Sequence, residues 1–269
     1  MPTVAWNKSK WDERHDWAQQ GDEWSHAWGG ARAQWLTSIW PRLASFLPTG
    51  SLLEIAPGHG RWTQYLLPQC TSYIGVDLAP SCIEVCQRRF ADQPHASFAV
   101  NDGMTLPMVA EGSIDFVFTF DSLVHVEADV ISSYLREFGR ILTPNGVAFI
   151  HHSNVGAYRR SAWWRDLLAK GMEPLPLPEG VIGLAELTNW HNFRGRSMTA
   201  QRLAAMAEEF DLVCPGQEIV GWAGLLLTDC ISIVTRKGSS WDRPPTLSRN
   251  RYFRIAARSS RAAAHAFQI

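Results

Sequence analysis

The sequence predicts an α/β fold built on a doubly wound, mostly parallel sheet of seven strands. Three observations carry that prediction. Short apolar runs alternate with helix-length amphipathic stretches from Leu52 to Phe210, the pattern of a parallel sheet covered by helices on both faces. The run Ile114 to Phe120 is nearly all apolar, as a strand buried on both faces requires. The last two β-rich runs, Glu218 to Trp222 and Cys230 to Thr235, have no helix between them, so they close one edge as an antiparallel hairpin.

Each element follows in order. Leu52 to Ala56 is the first strand and leads through a glycine-rich turn into a helix at Trp62 to Leu67. Tyr73 to Asp77 is the second, followed by a helix from Pro80 to Phe90, where proline suits the first turn. Ser97 to Val100 is a short third strand and Ile114 to Phe120 the fourth. Val130, Ile131, Tyr134, Leu135, Phe138, Ile141 and Leu142 then repeat at helical spacing until Pro144-Asn145-Gly146, which stops the helix. Gly146 to His151 is the fifth strand, and Leu203, Met206, Ala207 and Phe210 mark a last helix before the hairpin.

Three segments stand outside this core. Seven of the 13 tryptophans fall in the first 40 residues, and residues 1–50 are read as a helical lid. Trp17, Trp24, Trp28 and Trp35 share one helical stripe, but Gly29-Gly30 breaks any single helix through them. Two helices joined at the glycines, with Trp24 or Trp28 over the crevice, are expected. Residues 51–269 form the main domain, with a substrate-side insertion at 153–198 after the fifth strand. In that insertion Trp163, Trp164 and Trp190 with Arg159, Arg160, Arg194 and Arg196 either face an acceptor or pack the insertion onto the core. The tail, residues 236–269, has eight basic residues and one acid, leaving a net −8 on residues 1–235. It is read as a basic helix from Leu247 to Phe267 lying on the acidic body.

Composition removes several function classes. A net charge of −1 over 269 residues gives no global attraction to nucleic acid. Five cysteines without a C-x-x-C pair argue against zinc, redox and disulfide motifs and for a reduced, cytoplasmic protein. No apolar signal region stands in Met1 to Asp16, and the longest apolar run, Val220 to Leu227, is too short to span a bilayer.

The chemistry gathers at the strand ends. Glu54-Ile55-Ala56-Pro57-Gly58-His59-Gly60 follows one strand and precedes a helix, a place where backbone can approach a ligand. Asp77 ends the second strand, where it can accept both hydroxyls of a ribose or cap the next helix. Asp102 follows the third strand in Asn101-Asp102-Gly103-Met104, either accepting from an exocyclic amine or making a turn. Asp121 ends the fourth strand and His151-His152 the fifth. In a parallel sheet these ends share one edge, so a single crevice collects them. A dinucleotide fingerprint would want a small residue three after Gly60, where Thr63 stands; a dehydrogenase is disfavoured for that reason.

Residues 51–152 resemble the class I S-adenosylmethionine-dependent methyltransferases. The matching parts are Glu54 to Gly60, with Ala56 for the usual first glycine, Asp77, Asn101-Asp102-Gly103, Phe120-Asp121-Ser122-Leu123-Val124-His125, and Leu142-Thr143-Pro144-Asn145-Gly146. The resemblance implies a Rossmann-like sheet and S-adenosylmethionine as cofactor. It assigns Glu54, Ala56, Pro57, Gly58 and Gly60 to the methionine portion and Asp77 to the ribose. Asp102 falls to the adenine, with Leu78, Gly103, Met104, Phe120, Trp24 and Trp28 nearby. A narrower similarity, through Gly21 to Ser25, Trp28-Gly29, His151 to Asn154, Ser197 to Ala200 and Trp241 to Pro244, is to bacterial methyltransferases of polysaccharide and natural-product sugar pathways.

The expected activity is therefore O-methylation of a sugar or glycosylated small molecule. His152 or His151 would be the base, with Asp121 orienting it or sharing the role, and His125 would be structural or catalytic. The alternatives are N- or O-methylation of an aromatic or peptide-like natural product, and a cofactor-binding partner without turnover. The expected acceptor is a small molecule or glycan, with no nucleic-acid or membrane partner and with a homodimer allowed. No metal cluster is expected, although a divalent ion held by Asp121 and a substrate diol stays open.

Overall fold

The structure, a computed structural model, describes residues 3–158, 194–221 and 227–267. The sheet has eight strands rather than seven, in the order β3-β2-β1-β4-β5-β7-β6-β8. These are β1 (Thr49–Ile55), β2 (Cys70–Asp77), β3 (Ala96–Val100), β4 (Ile114–Thr119), β5 (Leu142–Ser153), β6 (Leu212–Val220), β7 (Asp229–Arg236) and β8 (Thr246–Asn250). The first five pair in parallel, and β7 runs antiparallel to both β5 and β6. The eighth strand corrects the reading of the tail as one helix from Leu247. Residues Thr246–Asn250 pair in parallel with β6, and the helix starts only at Phe253.

The helices are α1 (Val4–Lys8), α2 (Ala31–Gln34), α3 (Trp40–Leu43), α4 (Thr63–Leu66), α5 (Pro80–Arg89), α6 (Ala128–Ile141), α7 (Ala200–Glu208) and α8 (Phe253–Phe267). A π-helical stretch, Ser9–Arg14, extends α1, and a 3₁₀ helix, Asp22–Trp28, precedes α2. Gly29 ends that 3₁₀ helix with φ +90°, so the chain does break at the paired glycines. The helix α6 forms because its apolar residues fall on one stripe, which is buried from Val130 to Ile141. Thr199 starts α7 by accepting from the Arg202 amide at 2.9 Å.

Alternation along the strands sends neighbours to opposite faces. On one face Leu52, Phe116, Phe118, Val147 and Phe149 meet Trp28, Trp35, Ile39 and Leu43. On the other, Leu53, Val117, Ala148 and Ile150 meet Leu135, Phe138 and Leu203. Burying each such side chain contributes roughly 1.5–3 kcal/mol. Residues Ala31 to Leu43, read from sequence as part of a lid, are thus one helical layer of the core. Among the described residues before β1, the stretch preceding Trp28 lies across the strand ends, with Asp12 on Ser81 and Trp17 on Gly58.

Arg159, Arg160, Trp163, Trp164, Trp190 and Trp222 lie outside the described residues. Among the described residues the cysteines are free, no helix is long and apolar enough to cross a membrane, and no three metal-ligating side chains cluster.

Candidate active site

The glycine loop leaves β1 in a left-handed turn. Ala56 takes φ +59° and Gly58 φ +58°. A side chain costs roughly 1–2 kcal/mol in that region, so Ala56 is strained where a glycine would not be. Its amide is held by the Val76 carbonyl at 2.7 Å, and the Pro57 carbonyl accepts from the Gly60 amide at 2.9 Å. Asp77 fastens the loop from β2. One carboxylate oxygen accepts from the Gly58 amide at 3.0 Å and the other from the Ala79 amide at 2.9 Å. Burial pushes its pKa up to about 6 against those backbone bonds. The Leu78 amide bonds Asp77 as well, so of about four lone-pair sites on the carboxylate one remains for a ribose hydroxyl.

Glu54 serves the underside of the loop. Its Oε2 accepts from Thr63 Oγ1 at 2.7 Å and from the Tyr73 hydroxyl. Burial, resisted by those two bonds, pushes its carboxyl up to about 7. Asp102 is exposed and makes its own turn, accepting from the Met104 and Thr105 amides at 2.8 and 2.6 Å. A small burial penalty is outweighed by these bonds and that of the Thr105 hydroxyl, so its pKa falls. Gly103 beside it has φ +79°, and a Cβ there would lie 3.1 Å from Val4 and 3.2 Å from Leu78. Capping and turn roles thus take most of the acceptor sites of Asp77 and Asp102.

The N-terminal stretch covers the same edge. Asp12 accepts from the Ser81 amide at 3.0 Å and its hydroxyl at 2.6 Å, at the start of α5. Trp17 lies on Gly58: a Cβ there would stand 2.8 Å from its ring. Its indole stacks on His59 at 4.5 Å and donates to the Trp11 carbonyl at 3.0 Å. The expectation for Trp28 is overturned. It is buried against Phe253 and donates to Ser38 at 2.6 Å, in the core rather than over the crevice. Trp24, 45% exposed, packs on Trp11 and His15, one ring removed from Trp17. Sequence reading missed Trp17 as the covering residue, because the stripe of four tryptophans gave it no distinction.

A charged centre lies beside the loop. Asp121 takes φ +64°, a conformation Asp adopts more readily than bulkier residues. Arg61 donates to its Oδ2 at 2.8 Å, and His151 Nδ1 lies 3.4 Å from its Oδ1. Asp229 Oδ2 stands 3.4 Å from His151 Nε2 and accepts from Arg194 at 2.6 Å. Burial would pull the His151 pKa down, but hydrogen bonds to the flanking Asp121 and Asp229 carboxylates outweigh it and raise the pKa. Burial likewise pushes Asp121 up, and His151 with Arg61 overcomes it, holding the carboxyl at about 2. The ring has two arrangements: neutral, it accepts the Asp121 amide at Nδ1, 3.1 Å away; protonated there, it turns that hydrogen to the carboxylate. Phe120 stacks on the ring at 4.4 Å.

His152 is not part of this centre. Strand alternation turns it to the opposite face, where Nε2 meets Ser232 Oγ at 2.8 Å and Nδ1 meets the Ser153 carbonyl at 2.9 Å. Burial lowers its pKa to about 4. Arg194 is likewise buried on Asp229 rather than facing an acceptor, and Arg196 binds Glu127 through its amide at 3.1 Å. His125 presents its ring to Trp11 at 5.3 Å and its carbonyl to Asn7 at 2.9 Å. Arg61 and Asp229 were not singled out in the sequence; Arg61 directly follows Gly60, and that adjacency was the available signal.

The doubly wound sheet carries a left-handed glycine loop, a strand-end carboxylate and an acidic turn after the third strand on one edge. Residues 52–146, about a third of the chain, match the family described as "Methyltransferase domain". A phthiotriol/phenolphthiotriol dimycocerosates methyltransferase of Mycobacterium leprae is 33% identical over 101 residues, 35% of this chain and 34% of that protein. A second, from Mycobacterium ulcerans, is 32% identical over 124 residues, 44% of this chain and 42% of its own length. The matched region thus spans well under half of either relative. The PH0226 protein of Pyrococcus horikoshii superposes with TM-score 0.54 at 17% identity, over 85% of this chain and 96% of that one. A geranyl diphosphate methyltransferase solved with S-adenosylmethionine gives 0.51 at 13% identity, over 77% and 85%.

The residues present fit that cofactor. Asp77 retains an acceptor site for a ribose hydroxyl, Gly58 and Gly103 add no side chain of their own although Trp17 and Val4 lie against them, and Asp102 is exposed beside Met104.

Proposed function

We propose that this chain transfers a methyl group from S-adenosylmethionine to a hydroxyl of a sugar or glycosylated small molecule. The observation that carries this is Asp121, aimed by its left-handed backbone and held between Arg61 and His151. When bound, the cofactor supplies an electrophilic methyl on a sulfonium. The protein then has to bring an oxygen into line and take its proton. Asp121 accepts the hydrogen bond of the hydroxyl, and its low pKa makes it a positioning group rather than the final base. The hydroxyl proton passes through the Asp121 carboxylate to the Nδ1 lone pair of neutral His151, 3.4 Å from Asp121 Oδ1, leaving Asp121 ionised and His151 protonated. Such assistance is worth ~10²–10⁴-fold.

A second reading is favoured by the rings of Trp11, Trp17, Trp24 and His15, which would suit an aromatic or peptide-like acceptor. Incubation with labelled cofactor and a panel of nucleotide sugars, glycans and phenols, followed by mass analysis, separates the two. His151→Asn should lose about 10²-fold or more in turnover while cofactor affinity stays near wild type. Equal loss of cofactor binding would remove the assignment, and label on phenols alone would favour the second reading.

A further inference from the structure

An open groove of about 630 Å³ runs between the 3₁₀ helix Asp22–Trp28 and α8. Its walls are His26 and Gly29 on one side and Arg258, Arg261 and His265 on the other. The spacing i, i+3, i+7 places the last three on one flank of α8. That flank is aimed by a buried stripe of Phe253, Ala257, Ser260 and Ala264. Packing is close where the two elements meet, since a Cβ on Gly29 would lie 3.0 Å from Ala264.

Among the described residues the charge in this groove has no carboxylate partner. Arg42, Arg61, Arg140 and Arg194 each have a carboxylate partner; among the described residues Arg258 and Arg261 have none. Among the described residues no acid lines the groove. Of the two acids on the 3₁₀ helix, Glu23 bonds His15 at 2.9 Å and the Gly21 amide at 3.1 Å. Asp22 feels Arg61 and Arg89, on the side of the crevice. Ser25, next to His26, is fully buried and accepts from Arg61, the partner of Asp121. One turn of 3₁₀ helix therefore has one residue bonded to the charged centre and the next in the groove.

We infer that this groove is an anion subsite that takes a phosphate or diphosphate ester. Two guanidinium forks match phosphate oxygens bidentately, and each imidazole adds an N–H donor even when neutral. Identifying that ester with the methyl acceptor rests on the function proposed above; the subsite itself does not.

Calorimetric titration of the full chain with inorganic pyrophosphate at physiological ionic strength tests it. One saturable site is expected, weakened at least about ten-fold by R258Q/R261Q. R249Q, an exposed arginine on β8 outside the groove, should leave binding unchanged, with circular dichroism confirming that each variant is folded. Two further probes separate the sources of the phosphate: a nucleoside diphosphate should compete with pyrophosphate, and phosphatidylglycerol vesicles should not bind more tightly than either. Absence of saturation, equal weakening by R249Q, or binding to vesicles alone would overturn the subsite. No methyl transfer enters these readouts, so failure here and failure of the proposed reaction are distinguishable.

Discussion

Asp121→Asn isolates the charge of the buried centre with little change of shape. Asparagine tolerates φ +64° as aspartate does, and its amide oxygen still accepts from Arg61. What is lost is the negative charge between Arg61 at 2.8 Å and His151 at 3.4 Å. The Asp121 side chain is 16% exposed, so solvent screening takes little from the effect. Its pKa falls from 3.8 to about 2, and at ~1.36 kcal/mol per unit this is worth about 2 kcal/mol at pH 7. The sign follows from the depressed pKa: the stabilisation is complete above the unfolded value of 3.8 and is lost as pH falls through about 2. Urea unfolding of wild type and variant, read by tryptophan fluorescence, should show that gap at pH 7 and pH 5 and about half of it at pH 3. Equal stability at pH 7, or an undiminished gap at pH 3, would refute the charge-network account.

Two further perturbations probe the loop and its cover. Gly58→Ala places a methyl 2.8 Å from Trp17 in a left-handed turn and should cost about 1–2 kcal/mol from the backbone alone. Trp17→Ala should relieve the clash, so a double-mutant cycle should deviate from additivity by about 0.5 kcal/mol or more; strict additivity would separate the two residues. Glu54→Gln tests the underside. An acid raised from 4.5 to about 7 in the fold loses stability as pH climbs between those values. The glutamine variant should therefore gain on wild type in thermal melts by about 2 kcal/mol between pH 5 and pH 8, and a variant that instead lost ground with rising pH would contradict the buried assignment.

The strands, their alternation with helices, and the carboxylates at their ends were legible because each rests on local periodicity. Asp77, Asp102 and Asp121 lie where the strand boundaries place them. The split between His151 and His152 was also legible in outline, since period two forces adjacent residues to opposite faces. Which face belonged to the crevice was not. It depends on Phe118, Phe120 and Phe149 stacking beneath His151, a contact between two strands. Arg61 was hidden for a similar reason: its partner Asp121 is 60 residues away, and nothing in the local pattern joins them. The eighth strand was hidden by composition. Thr246 to Asn250 is exposed along most of its length, so it shows neither the apolar run of a buried strand nor a helical stripe.

The crowding of tryptophan at the N-terminus divides into two physical tasks. Trp28 and Trp35 are buried with the sheet-covering helices, where large rings fill a layer built from short helical pieces. Trp11, Trp17 and Trp24 lie over the strand ends with His15, His59 and His125 among them. Indole suits that position because it combines a wide apolar face with one donor. The donors go to nearby acceptors: Trp11 to Asn7 Oδ1 at 3.2 Å and Trp17 to the Trp11 carbonyl at 3.0 Å. An aliphatic cover would exclude water equally well but would leave those acceptors unmet. A polar cover would admit water beside the Arg61–Asp121–His151 centre and weaken its electrostatics. A covering segment that must be dry on one side and hydrogen-bonded along its own backbone is therefore rich in tryptophan, and the bare face of Gly58 is what lets Trp17 lie against the loop.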